Sequence, residues 1–125
     1  MTGMVEGFAA SDWIQAREIA RNLLIQRARR PAAQTITYGE LVIQLPIVIE
    51  PDDPRLSKML DEISRQEFAE GRGFLTVLVV HKRGDLMPGK GFFDMAADCG
   101  AAFTNRERFW TEAFNEVLSA WRTTS

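Results

Sequence analysis

The residues that could carry out chemistry are few and form no recognisable catalytic set. His81 is the only histidine and Cys99 the only cysteine. A histidine-based nuclease needs more than one histidine, and a metal-dependent nuclease needs clustered acids with a lysine two residues beyond one of them. The sequence contains no Asp-x-Lys or Glu-x-Lys segment. Because no activated nucleophile or acid–base pair is visible, we predict that the chain is not an enzyme.

The acidic residues of the middle segment also lack the spacing of a metal site. The candidates are Asp52, Asp53, Asp61 and Glu62. Their spacing matches no ligand pattern, and helix capping plus a solvated helix face accounts for them. The glycines on either side of Lys90 could cradle a phosphate, but the segment lacks the pattern of a phosphate-binding loop followed by a helix, which favours an exposed loop tip. We predict no metal and no cofactor.

The segment of residues 73–93 is expected to organise the fold. Between residues 74 and 80 every residue except Thr76 is apolar, which is typical of a strand buried on both faces. A basic, glycine-rich stretch then leads to a short apolar return at Phe92 and Phe93. The pattern predicts a strand, a flexible tip and a second strand, the antiparallel ribbon of a winged helix.

A first helix is predicted over residues 12–29. The lead-in of residues 1–10 is expected to be poorly ordered. Ser11 can cap the helix, and apolar residues at helical spacing predict one buried face. Arg17 and Arg21 are predicted to face outward. We favour a solvated helix end over a phosphate-binding patch for the basic C-terminal turn.

Two helices are predicted before the central strand. Thr37 and Glu40 form a capping box that follows a very short strand and opens a helix to about residue 45. Asp53 caps a longer helix over residues 54–70, with proline at its first position. Its buried stripe is expected to be Leu56, Met59, Leu60 and Ile63, extended by Phe68. The pair resembles a helix-turn-helix with a long connection.

The C-terminal helix is predicted over residues 104–122. A capping box at Thr104 and Glu107 opens it, and a turn or two of helix at residues 94–98 precedes it. Its broad apolar face is most simply part of the core. The alternative is a surface for a protein partner or a homodimer, because tryptophan and phenylalanine are favoured anchors there. The anchors would be Phe109, Trp110, Phe114 and Trp121.

Length and composition limit the class of protein to which the chain can belong. The chain has 125 residues, of which 46% are hydrophobic and 26% charged, so residues 1–125 are assigned to one globular domain. A lone cysteine allows no internal disulfide, which favours a reducing cytoplasm. The N-terminus lacks a signal-peptide pattern, and no stretch approaches the roughly 20 apolar residues of a membrane span. We predict a cytoplasmic protein without a membrane segment.

The net charge of −2 hides an uneven distribution. The first helix and the segment of residues 82–90 are basic, whereas residues 50–70 carry a surplus of acids. The near-neutral net charge argues against strong non-specific binding to nucleic acid, which needs several phosphate-neutralising side chains on one surface.

Two motifs resemble those of known bacterial proteins. One is Ile-Thr-Tyr-Gly-Glu-Leu at residues 36–41; the other is Leu-Val-Val-His-Lys at residues 78–82, followed by Met-Pro-Gly-Lys-Gly-Phe-Phe at residues 87–93. The pair resembles small uncharacterised bacterial proteins, and similar segments accompany nuclease domains. More distantly, it resembles the DNA-binding half of the DNA alkyltransferase family, where a Tyr-Gly motif opens a helix and a strand ends in Pro-Cys-His-Arg. The resemblance covers roughly residues 35–93.

The predicted order of elements is that of a winged helix, so we predict an α+β fold of the winged helix-turn-helix type, with an N-terminal helix, a small antiparallel β-ribbon and an added C-terminal helix. The resemblance implies the DNA-binding part of such a fold for residues 35–93. It does not carry over the chemistry, because alkyl transfer needs a thiolate nucleophile. Val80 stands where that family has its cysteine, and Cys99 lies well past the ribbon. A relative that recognises DNA or altered bases without repairing them is therefore implied.

We predict a non-enzymatic winged-helix domain that binds DNA, as an accessory to a bacterial nuclease or phage-defence system. The expected contacts are Tyr38, Arg55, Lys58, His81, Lys82, Arg83 and Lys90. Tyr38 and His81 also have structural readings, as a residue wedged between helices and as a hydrogen-bonded strand end. Acids along the helix of residues 53–70 would repel phosphates. The alternative is a protein-interaction or oligomerisation module that docks through this acidic helix or the aromatic C-terminal helix.

Overall fold

Helices make up most of this α+β chain, whose structure is a computed structural model that describes residues 3–84 and 86–122. Within these residues the helices are α1 (Ala10–Ala28), α2 (Tyr38–Val42), α3 (Pro54–Ala69), α4 (Lys90–Asp98) and α5 (Arg106–Arg122). The strands are β1 (Met4–Val5), β2 (Phe8–Ala9), β3 (Ile36–Thr37) and β4 (Val79–Val80). The predicted α+β class is confirmed. No helix in the described ranges is long and apolar enough to cross a membrane.

The described part of the N-terminal lead-in forms a short β-hairpin. Strands β1 and β2 pair antiparallel, with Met4 opposite Ala9. The two turn residues, Glu6 and Gly7, have φ angles of 53° and 83°, the combination that a tight two-residue hairpin turn requires. The sequence does not predict this hairpin. The expectation of poor order over residues 1–10 stays a prediction, and residues 1 and 2 lie outside the described residues.

The second small sheet pairs β3 with β4 in parallel. Ile36 lies opposite Val79, and Thr37 lies opposite Val80. The short strand before α2 is thus confirmed, but the antiparallel ribbon predicted for residues 74–93 is not formed by the described residues. The parallel register brings the first residue of α2 beside the residue that follows β4.

The predicted central strand is buried, as expected, but most of it is not a strand. Residues 74–80 are all buried, yet Leu75–Leu78 form a 3-10 turn and only β4 is extended. The turn packs among α1, α3 and α5. With helices around it, a strand would leave buried backbone groups without partners, whereas a 3-10 turn satisfies some of them locally.

Hydrogen bonds within this buried turn and with two neighbouring helices satisfy several of its polar groups. The Val77 N–H donates to the Phe74 carbonyl at 2.9 Å, and the Trp110 indole N–H of α5 donates to the Val77 carbonyl at 3.1 Å. Ser64 of α3 accepts from the Thr76 N–H at 3.0 Å and is hydrogen-bonded to the Thr76 hydroxyl. The one polar residue of the apolar run is therefore held by the one buried serine of α3.

The predicted second strand, at Phe92 and Phe93, is wrong, because both residues lie in α4. They are buried together with Met95 and Ala96, and apolar residues at this spacing share one face of a helix. The predicted turns of helix at residues 94–98 are the second half of this longer helix.

Helix ends follow local capping rules, with some shifts. The capping box of Thr37 and Glu40 is confirmed, although α2 ends at Val42. Asp53 caps α3 as predicted, accepting from the Arg55 N–H at 2.9 Å. The predicted cap at Ser11 is wrong, because α1 begins at Ala10 without a side-chain cap.

Two further details of the helices differ from expectation. Asn105, rather than Thr104, caps α5 by accepting from the Arg108 N–H at 2.9 Å. In α3 the apolar stripe is buried except for Phe68, which is 42% exposed. Phe68 still stacks on Phe74, with ring centroids 4.6 Å apart.

Ion pairs join α1 to α3. Arg17 contacts Glu62 at 2.6 Å, and the Trp13 indole N–H donates to the same carboxylate at 3.0 Å. Arg21 pairs with Glu67, whose side chain is fully buried. The outward orientation predicted for the two arginines is wrong, because both are half-buried. They pair with two acids of the acidic helix, of which Glu67 is buried and Glu62 is partly exposed.

Candidate nucleic-acid interface

A tyrosine and a histidine meet where the parallel strands end. Tyr38 opens α2 directly after β3, and His81 directly follows β4. Their ring centroids are 5.0 Å apart, with planes inclined by 37°. The Tyr38 hydroxyl accepts from the Gly89 N–H at 2.8 Å. This position is compatible with both predicted roles of Tyr38, as a residue wedged between helices and as a DNA contact. Its ring packs within the fold, while its hydroxyl reaches a surface cleft.

Gly89 is the residue that allows this close approach. A Cβ atom there would lie 3.2 Å from His81 Nε2 and 3.4 Å from the Tyr38 hydroxyl, closer than side chains normally pack. The backbone N–H of His81 also donates to the Met87 carbonyl at 2.9 Å. These contacts close the base of the segment of residues 82–88, which we call the basic loop; Asp85 within it lies outside the described residues.

A cleft of about 280 Å³ opens beside the pair. Its volume is near the lower end of the range for small-molecule sites, roughly 300–1,000 Å³. Besides Tyr38 and His81, the lining includes Ser57 and Asp61 of α3 and Lys90 of α4. The walls thus combine aromatic edges with hydrogen-bond donors and acceptors, a mixture that can orient a polar ligand.

Burial and neighbouring charges shift two pKa values in the cleft. Burial raises the pKa of Asp61; Arg65 opposes this shift, and Asp94 and Asp98 add to it. Burial also raises the pKa of Tyr38, against the hydrogen bond from Gly89. The phenol is therefore protonated at neutral pH. Because its oxygen already accepts from Gly89, its own proton is available for donation to a ligand.

Basic side chains from two elements act on one carboxylate, that of Glu40. Lys82 and Arg83 are exposed. Arg27, in the last turn of α1, donates to the Thr35 carbonyl at 2.8 Å. Hydrogen bonds from Thr37 lower the pKa of Glu40, and the charges of Arg27 and Lys82 lower it further. The end of α1 and the start of the basic loop therefore share the electrostatic surroundings of one carboxylate.

Three predicted contacts form ion pairs within the fold, and two of them, Arg55 and Lys58, lie away from the cleft. Arg55 forms an ion pair with Asp53 and lies over the Phe8 ring, 4.6 Å from its centroid. Lys58 pairs with Glu6 of the N-terminal hairpin at 2.8 Å. Lys90 lines the cleft and also pairs with Asp94 at 3.1 Å. The structure therefore groups Tyr38, His81, Lys82, Arg83 and Lys90, and places Arg55 and Lys58 against the hairpin.

The aromatic residues of α5 pack largely within the domain. Phe109 stacks on Phe103, with centroids 4.4 Å apart, and Trp110 lies 5.1 Å from Phe114. Trp121 is buried. Phe109, Trp110 and Phe114 are half-buried, so part of each ring stays accessible.

Sequence reasoning missed Arg27, Gly89, Ser57 and Asp61 as members of this region. The sequence places Arg27 in a solvated helix end. Only the fold, with β3 paired to β4, shows that Arg27 and Lys82 act on the same carboxylate. The Pro-Gly step at residues 88–89 was a usable signal, because a glycine at the end of a loop often marks a close backbone approach. Ser57 and Asp61 lie one helical turn apart, a spacing compatible with a shared face.

Comparisons with known proteins leave the site to be judged from its own geometry. The chain matches no family model, no curated protein and no solved structure. In the part of the chain that the structure describes, no three His, Cys, Asp or Glu residues group as metal ligands.

Proposed function

We propose that this chain is a non-enzymatic domain that binds DNA through the end of α1, the start of α2 and the basic loop. The parallel pairing of β3 with β4 carries the proposal, because it sets Tyr38 against His81 and continues directly into exposed Lys82 and Arg83. Phosphate contacts from such side chains fix a protein on a duplex without reading its sequence.

The two halves of the region suit different parts of a nucleotide. Arg27, Lys82 and Arg83 offer positive charge to phosphates. The cleft is poorly suited to phosphates, because Asp61 and its neighbours would repel an anion. Its protonated Tyr38 hydroxyl and carboxylate acceptors match a neutral polar group, and its aromatic edges suit a base. This division supports the role implied by the resemblance, the recognition of DNA or altered bases without repair.

In this proposal the winged helix-turn-helix is modified. α2 and α3 correspond to its two helices, but α3 supplies few of the DNA contacts, because it is acidic and its cations are paired with acids. The basic loop takes the place of the wing, closed at its base by the His81 to Met87 hydrogen bond rather than by a β-ribbon. A role beside a bacterial nuclease or defence system stays a prediction.

Binding to a labelled duplex, measured by fluorescence anisotropy over a series of salt concentrations, tests the proposal. We expect the double variant Lys82→Ala and Arg83→Ala to bind roughly tenfold or more weakly at low salt, and to lower the magnitude of the slope of log K against log salt by about 2.

The control for this assay removes the same charge elsewhere. Arg108→Ala with Arg122→Ala deletes two exposed arginines of α5 that do not line the cleft, and should leave the salt slope unchanged. The proposal is wrong if the protein has no affinity for DNA at low salt, or if both double variants behave alike.

The alternative proposal is a protein-interaction or oligomerisation module. Near-neutral net charge supports it, but its two suggested surfaces are partly used internally, by the ion pairs of α3 and by the packing of α5. Light scattering separates the proposals, since a stable homodimer or a larger oligomer would favour the alternative.

A further inference from the structure

The basic loop has a fixed base and an exposed tip. The His81 N–H to Met87 hydrogen bond and the Gly89 N–H to Tyr38 hydrogen bond hold its two ends. Lys82 and Arg83 follow the first end and are exposed. A loop held in this way can present its tip to a ligand without losing the position of its base.

Leu86 is the apolar residue of this tip. It is 57% exposed, and its φ angle is 58°, a left-handed conformation that L-residues with side chains adopt at a cost in free energy. It borders a shallow groove against Glu107, Trp110 and Thr111 of α5. An exposed leucine held in a strained backbone conformation, on the same loop as two exposed cations, is a reason to look for a functional role.

Exposure alone does not single out Leu86. Ile43 and Val48 are 82% and 89% exposed, and isolated exposed apolar residues are ordinary. An acid lies beside both sites, because the groove that these two residues line contains Glu50 and the groove beside Leu86 contains Glu107. Nothing around Ile43 and Val48 indicates what covers them. Leu86 differs in lying on the same loop as Lys82 and Arg83.

We infer that Leu86 is a wedge that the basic loop inserts between base pairs of the DNA held by the proposed surface. Proteins that bind the minor groove place apolar side chains between base steps, unstack them partly and bend the duplex. Lys82 and Arg83 would bind phosphates beside the inserted residue, and this attraction offsets the loss of stacking. The inference rests on the proposed function and adds that the bound DNA is deformed.

Fluorescence of 2-aminopurine tests the wedge, because this base brightens when it is unstacked. Short duplexes carry it in place of each interior adenine in turn, and the wild-type protein should raise the signal at one or more positions. Leu86→Ala should abolish the increase and weaken binding roughly three- to tenfold, while the salt slope set by Lys82 and Arg83 stays unchanged. Leu86→Phe should retain the increase.

Val48→Ala is the matched control, since it truncates an exposed apolar residue away from the basic loop, and it should change neither signal nor affinity. The wedge is overturned, with the proposed function intact, if DNA binds in a manner sensitive to Lys82→Ala and Arg83→Ala but Leu86→Ala leaves the fluorescence as in the wild type. Absence of any DNA binding overturns both.

Discussion

Glu67 is a carboxylate without exposed surface, held by Arg21 and Arg72. Burial alone would raise its pKa, but hydrogen bonds from the two guanidinium groups lower the pKa below the usual value. Both guanidinium groups also lie over the Trp121 ring, 5.9 Å and 5.5 Å from its centroid. One of the helix acids that the sequence expects to repel phosphates therefore ties α1, α3 and α5 together.

Removal of this charge should destabilise the fold. We expect Glu67→Gln to lower the free energy of unfolding by roughly 2–4 kcal/mol, measured by urea denaturation, because two partly buried arginines lose their counter-ion. Glu70→Gln, three residues on and exposed, should cost less than about 0.5 kcal/mol. Equal stability of Glu67→Gln and the wild type would contradict this role.

The pH dependence has a definite sign. Since the pKa of Glu67 is lower in the folded than in the unfolded protein, its stabilisation is present above the unfolded value of about 4.3 and is lost as pH falls through the folded value. The stability difference between wild type and Glu67→Gln should therefore shrink on acidification.

Asp61 presents the opposite case. Burial raises its pKa, so its ionised form opposes folding at neutral pH, and its charge faces the cleft. Asp61→Asn should leave stability unchanged or raise it by a few tenths of a kcal/mol, and this gain should vanish as pH falls through the raised pKa. DNA affinity should rise roughly two- to fivefold.

Urea denaturation and anisotropy measure the two effects. Glu18→Gln, which removes an exposed acid of α1, is the control. A clear loss of stability or of affinity in Asp61→Asn would show that the carboxylate has a partner or a role that its surroundings do not indicate.

At the scale of elements, the sequence predicts burial better than it predicts conformation. The apolar run of residues 74–80 is buried throughout, but periodicity cannot separate a buried strand from another buried segment. Its conformation is set by α1, α3 and α5 around it, which no local pattern reveals. The caps at Thr37 and Asp53 are local devices, and both are correctly predicted.

The site shows the same limit. The motif residues Tyr38 and His81 stand out in the sequence, but their contact depends on a parallel pairing between segments far apart in the chain. The antiparallel ribbon predicted instead would have placed the basic residues on a separate hairpin. Long-range register, not residue type, decides which side chains form the site.

Ser64 tests the account of the buried 3-10 turn. Ser64→Ala should lower the free energy of unfolding by roughly 1–3 kcal/mol, because the buried Thr76 N–H loses its acceptor. Ser57→Ala, on the exposed cleft side of the same helix, should stay within about 0.5 kcal/mol of the wild type. Chemical denaturation measures both, and similar small effects would mean that the turn satisfies its backbone in another way.

For the whole molecule, the net charge of −2 is a poor guide to the surface. Acids of α3 are paired with arginines of α1, as Glu67 is with Arg21 and Glu62 with Arg17, so charges of both signs neutralise each other within the fold or at its edge. The exposed cations of the basic loop keep their positive charge. The objection that a near-neutral chain cannot hold DNA is therefore weakened, since the relevant quantity is the charge of the contact surface.

Amide chemical-shift mapping by NMR during a DNA titration tests the central claim most directly, because it locates the contact surface without any substitution. We predict that the largest shifts lie at the end of α1, at residues 35–40, at residues 81–84 and at residues 86–91. Resonances of Arg55, Lys58 and the exposed face of α5 should move little. Shifts concentrated on those residues instead, or no shifts at low salt, would contradict the proposed interface.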